Sequence, residues 1–237
     1  MLINKDLLKN NAASLGIELG EEEISRFDML AERLIEQNKT MNLTAITEPD
    51  EVVIKHFVDS ISLLSAVTPE EGAKVLDLGT GAGFPGIPLL ICRPDIKLTM
   101  VDSTAKKLRY VASTVEALGL NAETLHSRAE EAGKQPEYRE QYDIVCSRAV
   151  AALNLLCEYC LPFVKVGGVF AAMKSAKADE EIALAKNALK ILGGKIIDKK
   201  TFTLSDGGER TIIIIKKVSQ IPPKYPRPSA QIAKKPL

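Results

Sequence analysis

Val75-Leu76-Asp77-Leu78-Gly79-Thr80-Gly81-Ala82-Gly83-Phe84-Pro85-Gly86 is the stretch of this 237-residue chain whose reading decides the fold. An apolar strand runs into three glycines at alternate positions, and a helix with a proline near its start follows. Glycine reaches φ > 0 and lets a ligand approach the backbone closely. The first N–H groups of the following helix have no partner inside it and face the same space. The expectation is a nucleotide-type cofactor site at the carboxyl end of a parallel strand. The alternative is a tight strand-to-helix turn that holds no ligand.

The glycine spacing narrows the cofactor. The dinucleotide fingerprint is G-x-G-x-x-G. Here the order is G-x-G-x-G, and Phe84 stands where that fingerprint needs its third glycine. Pro85 removes an N–H from the helix entrance, although it suits a first helical turn. A pyrophosphate is disfavoured. A cofactor with an amino-acid end and no phosphate, S-adenosylmethionine, fits better. Asp77 either orders the loop or faces a cationic ligand group. The next apolar run, 96–101, reads as a strand that ends in Asp102. An acid about 20 residues beyond the glycines binds ribose hydroxyls. Asp102, Ser103 and Thr104 are also good helix N-caps, and both roles can coexist.

Composition bounds the class. Lys and Arg number 31 and Asp and Glu 31, giving zero net charge, and mean hydropathy is +0.02. That is the profile of a globular chain of one large domain, or one domain with an appendage. No apolar run is long enough to span a membrane, and the N-terminus lacks the basic and apolar segments of a signal peptide. Cys157-x-x-Cys160 falls in a helical apolar segment with no second Cys or His pair, so packing is expected rather than metal or redox chemistry. Cys92 and Cys146 also lie in apolar surroundings, which suits a reduced, cytoplasmic protein. His56 and His126 are the only histidines, and neither sits in a ligand cluster, so no metal is expected. A monomer is the default expectation.

Charge is uneven along the chain. Residues 1–73 carry 14 acids against 6 Lys or Arg. Residues 216–237 carry Lys216, Lys217, Lys224, Arg227, Lys234 and Lys235, five prolines and no acid. The tail reads as an extended basic arm, too proline-rich for a helix, suited either to phosphates or merely to solvation.

Periodicity divides the chain in three. Residues 1–70 form a helical extension packed on the core, with helices expected at 2–14, 21–37 and 49–67. Ile24, Phe27, Leu30 and Leu34 make one stripe. Residues 71–217 alternate short apolar strands with helices, which implies an α/β fold with a mostly parallel sheet. Strands are expected at 74–78, 97–101, 122–126, 142–147, 167–173, 194–203 and 209–217. Helices are expected at 84–92, 104–118, 151–161 and 178–192, with a short one near 128–139. Ser205-Asp206-Gly207-Gly208 is too short a link for anything but an antiparallel final pair. Residues 218–237 are the basic tail.

These residues resemble a known family. Met41-Asn42-Leu43-Thr44, His56-Phe57-Val58-Asp59-Ser60, the glycine loop, Val101-Asp102-Ser103, Arg128-Ala129-Glu130, Ser147-Arg148-Ala149-Val150-Ala151 and Lys224-Tyr225-Pro226-Arg227 are similar to motifs of the RsmG (GidB) family, bacterial 16S rRNA guanine-N7 methyltransferases. The resemblance covers nearly the whole chain. It departs after Tyr-Pro-Arg, where members often carry glycine and this chain has Pro228-Ser229-Ala230.

The resemblance implies a class I methyltransferase-like Rossmann sheet and S-adenosylmethionine as methyl donor. It implies 16S rRNA, or a small-subunit precursor, as partner. Gly79, Phe84, Ala129, Glu130 and Arg148 match cofactor-contacting positions, and Asp77, Gly81, Gly83, Asp102 and Ser103 complete the expected cofactor set. His56 and Asp59, spaced i, i+3 on one helical face, are expected with Ser147, Lys224 and Arg227 on the substrate side. Arg148 is the candidate catalytic residue. It would pair with the cofactor carboxylate, donate to guanine O6, or bridge to a helix acid. RNA contacts are also expected from Lys106, Lys107 and Arg109. On this reading, deleting 222–237 weakens RNA binding and leaves cofactor affinity unchanged. The runner-up is a small-molecule S-adenosylmethionine-dependent methyltransferase of the same fold.

Overall fold

The computed structural model describes residues 2–175 and 178–237. Helices α1 (Lys5–Ser14) and α2 (Glu21–Met41) come first. The chain then runs through α3 (Pro49–Val52), a π-helix (Val53–Val58), α4 (Asp59–Ile61) and α5 (Leu63–Ala66). The alternating part is β1 (Lys74–Leu78), α6 (Gly86–Cys92), β2 (Lys97–Asp102), α7 (Ala105–Ala117), β3 (Glu123–His126), α8 (Ala129–Ala132), β4 (Tyr142–Arg148), α9 (Leu153–Cys160) and β5 (Val164–Lys174). It closes with α10 (Ala178–Ile191), β6 (Gly194–Thr203), β7 (Glu209–Lys217) and α11 (Ser229–Lys234).

The strands form one sheet in the order β3-β2-β1-β4-β5-β7-β6. The first five strands pair in parallel, and β7 inserts antiparallel between β5 and β6. The order reverses between β1 and β4, so the crevice at their carboxyl ends is the expected ligand position.

Alternation of side chains sends successive residues to opposite faces. Val75, Met100 and Ile144 join a core cluster with Leu8, Phe27 and Phe57 of the N-terminal helices. Leu76, Val101 and Val145 join a second cluster with Leu156, Phe163 and Tyr225. The N-terminal helices thus cover one face of the sheet, and α9, α10 and the C-terminal segment cover the other.

Helix ends follow local chemistry. Asn4 Oδ1 accepts the Leu7 N–H at 3.1 Å, so α1 starts at Lys5 rather than residue 2. The stripe Ile24, Phe27, Leu30, Leu34 is buried, and α2 ends at Asn42 in the left-handed region (φ 49°). Only Ala129–Ala132 of the expected 128–139 segment is α-helical; Gly133 follows, and Pro136 cannot donate within a continued helix.

The extended-arm expectation for the tail needs correction. Ser229–Lys234 is a helix, and Ile221, Tyr225 and Ile232 are buried. The prolines lie before the helix and after it, where they cost no helical hydrogen bond. No helix among the described residues is long and apolar enough to cross a membrane.

Candidate active site

Two cavities open side by side at the carboxyl ends of the parallel strands. The first, about 470 Å³, is lined by Gly79, Asp102, Ser103, Ala129, Glu130 and Tyr159, among others. The second, about 560 Å³, is lined by Lys55, His56, Asp59, Arg148, Lys174 and Arg210, among others. Val150 and Ala151 border both.

The glycine loop is tightly built. Gly79, Gly81 and Gly83 have φ of 76°, 59° and 95°, which other residues rarely adopt. A Cβ on Gly79 would stand 2.6 Å from Val150 Cγ2, so the loop after β4 rests directly on this glycine. Asp77 is buried behind the loop. Its Oδ2 accepts from Thr80 Oγ1 at 2.6 Å and from Gly86 N at 2.9 Å. Of the two roles open to Asp77, ordering the loop is visible. The α6 entrance is therefore filled by a protein carboxylate and closed to a pyrophosphate. Asp77 Oδ1 is buried without a partner, and burial pushes the carboxyl up to about 6.

Asp102 ends β2. Its Oδ2 accepts Gly81 N at 3.0 Å and its Oδ1 accepts Thr104 N at 2.8 Å. It ties the glycine loop to β2 and orders the turn before α7, whose N-cap is Thr104 and has no side-chain cap bond, while lining the first cavity. Gly81 and Gly83 shape the loop without lining the cavity.

The second cavity is organised around Asp59. Arg148 Nη1 donates to Asp59 Oδ2 at 2.9 Å, and Arg210 Nε donates to Asp59 Oδ1 at 2.9 Å. Arg148 also donates to Lys55 O at 3.1 Å. The π-helix makes that carbonyl available. Asp59 N–H reaches back to Ile54 O, leaving Lys55 O unclaimed by its usual i+4 donor.

His56 completes the group. Its ring stacks on Phe84 at 4.6 Å and 9°, and Arg148 lies 5.2 Å from the same Phe84 ring centroid. Arg148 Nη2 faces His56 Nδ1 at 3.2 Å, and His56 Nε2 faces Thr44 Oγ1 at 2.9 Å. Arginine only donates, so Nδ1 must accept and the ring proton sits on Nε2, directed at Thr44. Burial, reinforced by the Arg148 charge, pushes His56 down to about 3. The imidazole is neutral with both nitrogens engaged.

Several expected site residues sit elsewhere. Phe84 is buried and lines neither cavity; it is the platform beneath His56 and Arg148. Ser147 is fully buried and donates to Leu78 O at 3.0 Å, a β4-to-β1 tie rather than a substrate contact. Arg227 is not a free phosphate ligand, because it forms a two-point ion pair with the buried Glu158, at 2.8 Å and 2.6 Å. Lys224 is exposed, with its Nζ 5.2 Å from the Tyr225 ring centroid, and lies outside both cavities. Arg148 bridges to a helix acid, Asp59, which was one of its three expected roles.

Sequence reasoning missed Arg210, Lys174, Glu181 and Tyr159. Arg210 arrives through the antiparallel insertion of β7, and no local pattern marks it. Tyr159 stands four residues after Leu155, which lines the same cavity, so helical spacing alone pairs them.

Comparison with known proteins follows this geometry. The family model described as rRNA small subunit methyltransferase G matches residues 23–213. The chain is 45% identical over 242 residues to ribosomal RNA small subunit methyltransferase G of Pelotomaculum thermopropionicum, with 100% of each chain covered. It is 48% identical over 225 residues to the protein of that name from Desulfitobacterium hafniense, covering 94% of this chain and 93% of the relative. Among solved structures, M. jannaschii TYW2 in complex with AdoMet superposes with a TM-score of 0.51 at 17% identity, covering 65% of this chain and 73% of that one. A SAM dependent methyltransferase from Aquifex aeolicus gives 0.52 at 21%, covering 73% and 96%. At those identities the structures establish the fold, that of class I methyltransferases. The full-length relatives and the family model establish more: the chain belongs to the ribosomal RNA small subunit methyltransferase G family.

Proposed function

We propose that the first cavity holds S-adenosylmethionine, that the second receives a guanine of 16S ribosomal RNA, and that the methyl group passes to guanine N7 where the two meet. When bound, the cofactor supplies an electrophilic methyl on a sulfonium. The first cavity fits it chemically. Asp102 and Ser103 offer partners for the ribose, and Ala129 and Glu130 stand where the adenine edge would reach. Gly79 lines the cavity, and with no side chain its backbone can be approached closely. The orphaned, buried Asp77 Oδ1 provides an unspent acceptor behind the loop.

One observation carries the choice of acceptor atom: the described residues lining the second cavity include no free general base. Both His56 nitrogens are engaged. Asp59 is held by two arginines, and Glu181 by Lys174 at 2.7 Å and by the Leu153 N–H at 2.6 Å. Guanine N7 presents an in-plane lone pair at its edge and needs no deprotonation before attack. Pyrimidine C5 chemistry needs a thiolate. Cys146 is fully buried, and burial raises its thiol well above the ordinary range. The site's task is therefore to align N7, methyl carbon and sulfur, and alignment alone can supply up to roughly 7–11 kcal/mol.

The cations Lys55, Arg148, Lys174 and Arg210 give the second cavity an excess of positive charge over Asp59 and Glu181, which favours a phosphate-bearing acceptor over a neutral small molecule. The partner is naked 16S rRNA or an assembling small subunit, met in the cytoplasm by a monomer. Mass mapping of 16S rRNA from cells lacking the protein tests this. One 7-methylguanosine should disappear, and purified protein with S-adenosylmethionine should restore it. An unchanged map would remove the reading.

A further inference from the structure

The C-terminal segment lies beyond the family model, which stops at residue 213. Two of its cations, Lys217 and Arg227, are spent inward, while Lys216, Lys224, Lys234 and Lys235 stay exposed. Lys217 is fully buried, and its Nζ donates to Glu140 Oε1 at 3.0 Å, Leu161 O at 2.9 Å and Val164 O at 3.1 Å. Glu140 Oε1 also accepts Ile221 N at 3.0 Å. Arg139 donates to Ile221 O at 2.9 Å and to Tyr225 O at 2.8 Å. Glu158, also fully buried, accepts both the Arg227 side chain and its backbone N–H at 2.9 Å. A loosely attached phosphate arm would not need these buried partners.

The segment docks on the two helices that wall the first cavity. Arg139 Nη1, besides holding Tyr225 O, donates to Gly133 O at 3.0 Å at the end of α8. That helix carries Ala129 and Glu130 into the cavity. On α9, Glu158 faces the segment and the adjacent Tyr159 lines the cavity. The Tyr159 hydroxyl lies 3.0 Å from Ser229 Oγ, at the start of α11. Tyr159 thus lines the cavity and also touches the tail through its hydroxyl.

We propose that residues 221–237 brace the cofactor cavity, and that Tyr159, held by Ser229, is a positioning residue for cofactor binding. This rests on the assignment of the first cavity to S-adenosylmethionine. The tail fixes α9, α9 fixes the Tyr159 ring, and the ring sets one cavity wall. The consequence opposes the sequence expectation: loss of the tail weakens the cofactor rather than the RNA.

Deleting the segment would expose the core around Ile221, Tyr225 and Ile232 and could unfold the protein, so single-atom changes carry the test. Calorimetry with S-adenosylmethionine on Tyr159→Phe and Ser229→Ala should show Kd raised about 3- to 10-fold in each, the span expected for one hydrogen bond. The double variant should be no worse than either single one, since both remove the same bond. In Ser229→Ala, KM for the cofactor should rise while kcat at saturating cofactor and the affinity for RNA hold. A merely structural contact would not separate KM from kcat in this way. Asp102→Ala lines the same cavity away from the tail. If it weakens the cofactor while the Tyr159 and Ser229 variants bind normally, the brace is refuted and the cavity assignment stands. If Asp102→Ala also binds normally, the cavity assignment fails and the brace with it.

Discussion

The two cavities share a border but are held in shape by different forces. The first is made mainly from turns that follow β1, β2 and β3, and its key acid, Asp102, is fixed by backbone N–H groups. The second draws on the π-helix and the ends of β4, β5 and β7. Its key acid, Asp59, is fixed by two guanidinium groups. Conformation holds the first cavity in shape, and charge holds the second. Backbone changes should therefore damage the first, and charge changes the second.

The largest effect is expected at Arg148. Arg148→Ala leaves Asp59 with one cation, His56 Nδ1 without a donor, and Lys55 O unpaired. Methyl transfer in a single turnover should fall about 100-fold, the scale expected when loss of a supporting group misplaces the reactants by about 1 Å. Leaving Lys55 O and His56 Nδ1 unpaired should also cost about 1–3 kcal/mol of stability, since Arg210 still compensates Asp59. Arg148→Lys should recover little, because an ammonium cannot span the same three partners in a plane. Cofactor affinity should stay within about threefold of wild type if the halves are separately held. Near-normal turnover would break the division, and so would a parallel collapse of cofactor binding.

A glycine pair probes the other half. Gly79→Ala places a Cβ in the left-handed region, at a cost of roughly 1–2 kcal/mol, and pushes on Val150 at the border between the cavities. Cofactor Kd should rise about tenfold. Gly83→Ala also strains the loop, but its Cβ would stand 2.4 Å from Ile87 Cδ1, inside the core. That variant should lose melting temperature more than cofactor affinity. Equal behaviour of the two would show that loop strain alone, and not its place beside the cavity, governs binding.

The same division explains what could be read from the chain. Gly79, Asp102, Ser103, Ala129 and Glu130 sit in short strand-to-helix turns, where a local pattern is also a spatial one. The sheet was legible for this reason, including its final antiparallel pair, which the four-residue link 205–208 forces. Arg210 was not legible, because it reaches Asp59 across 151 positions through strand insertion. Arg227 misled because composition counts charges without their partners, and Glu158 is hidden in an apolar helix. Phe84 was read as a contact because it stands in the motif; its ring is buried and stacks on His56.

A further effect concerns protonation, where the wild type shows little because the two cavities oppose each other. His56 is pushed down to about 3, so the unfolded chain binds its proton first as pH falls below the ordinary 6.5. Its contribution is complete above pH 6.5 and drains away on acidification toward 3, costing about 2 kcal/mol by pH 5. Asp77 is pushed up to about 6 from 3.8, so the folded chain takes its proton first. Its burial penalises folding above pH 6, and acidification to pH 5 returns about 1 kcal/mol. In the wild type these terms largely offset between pH 7.5 and 5. His56→Gln removes only the first, and Gln can still reach Thr44 or Arg148. Denaturant unfolding at the two pH values should then show the variant gaining about 2 kcal/mol on acidification relative to wild type. An identical pH response in both proteins would mean that His56 titrates normally. The neutral imidazole between Thr44 and Arg148, on which the absence of a general base rests, would fall with it.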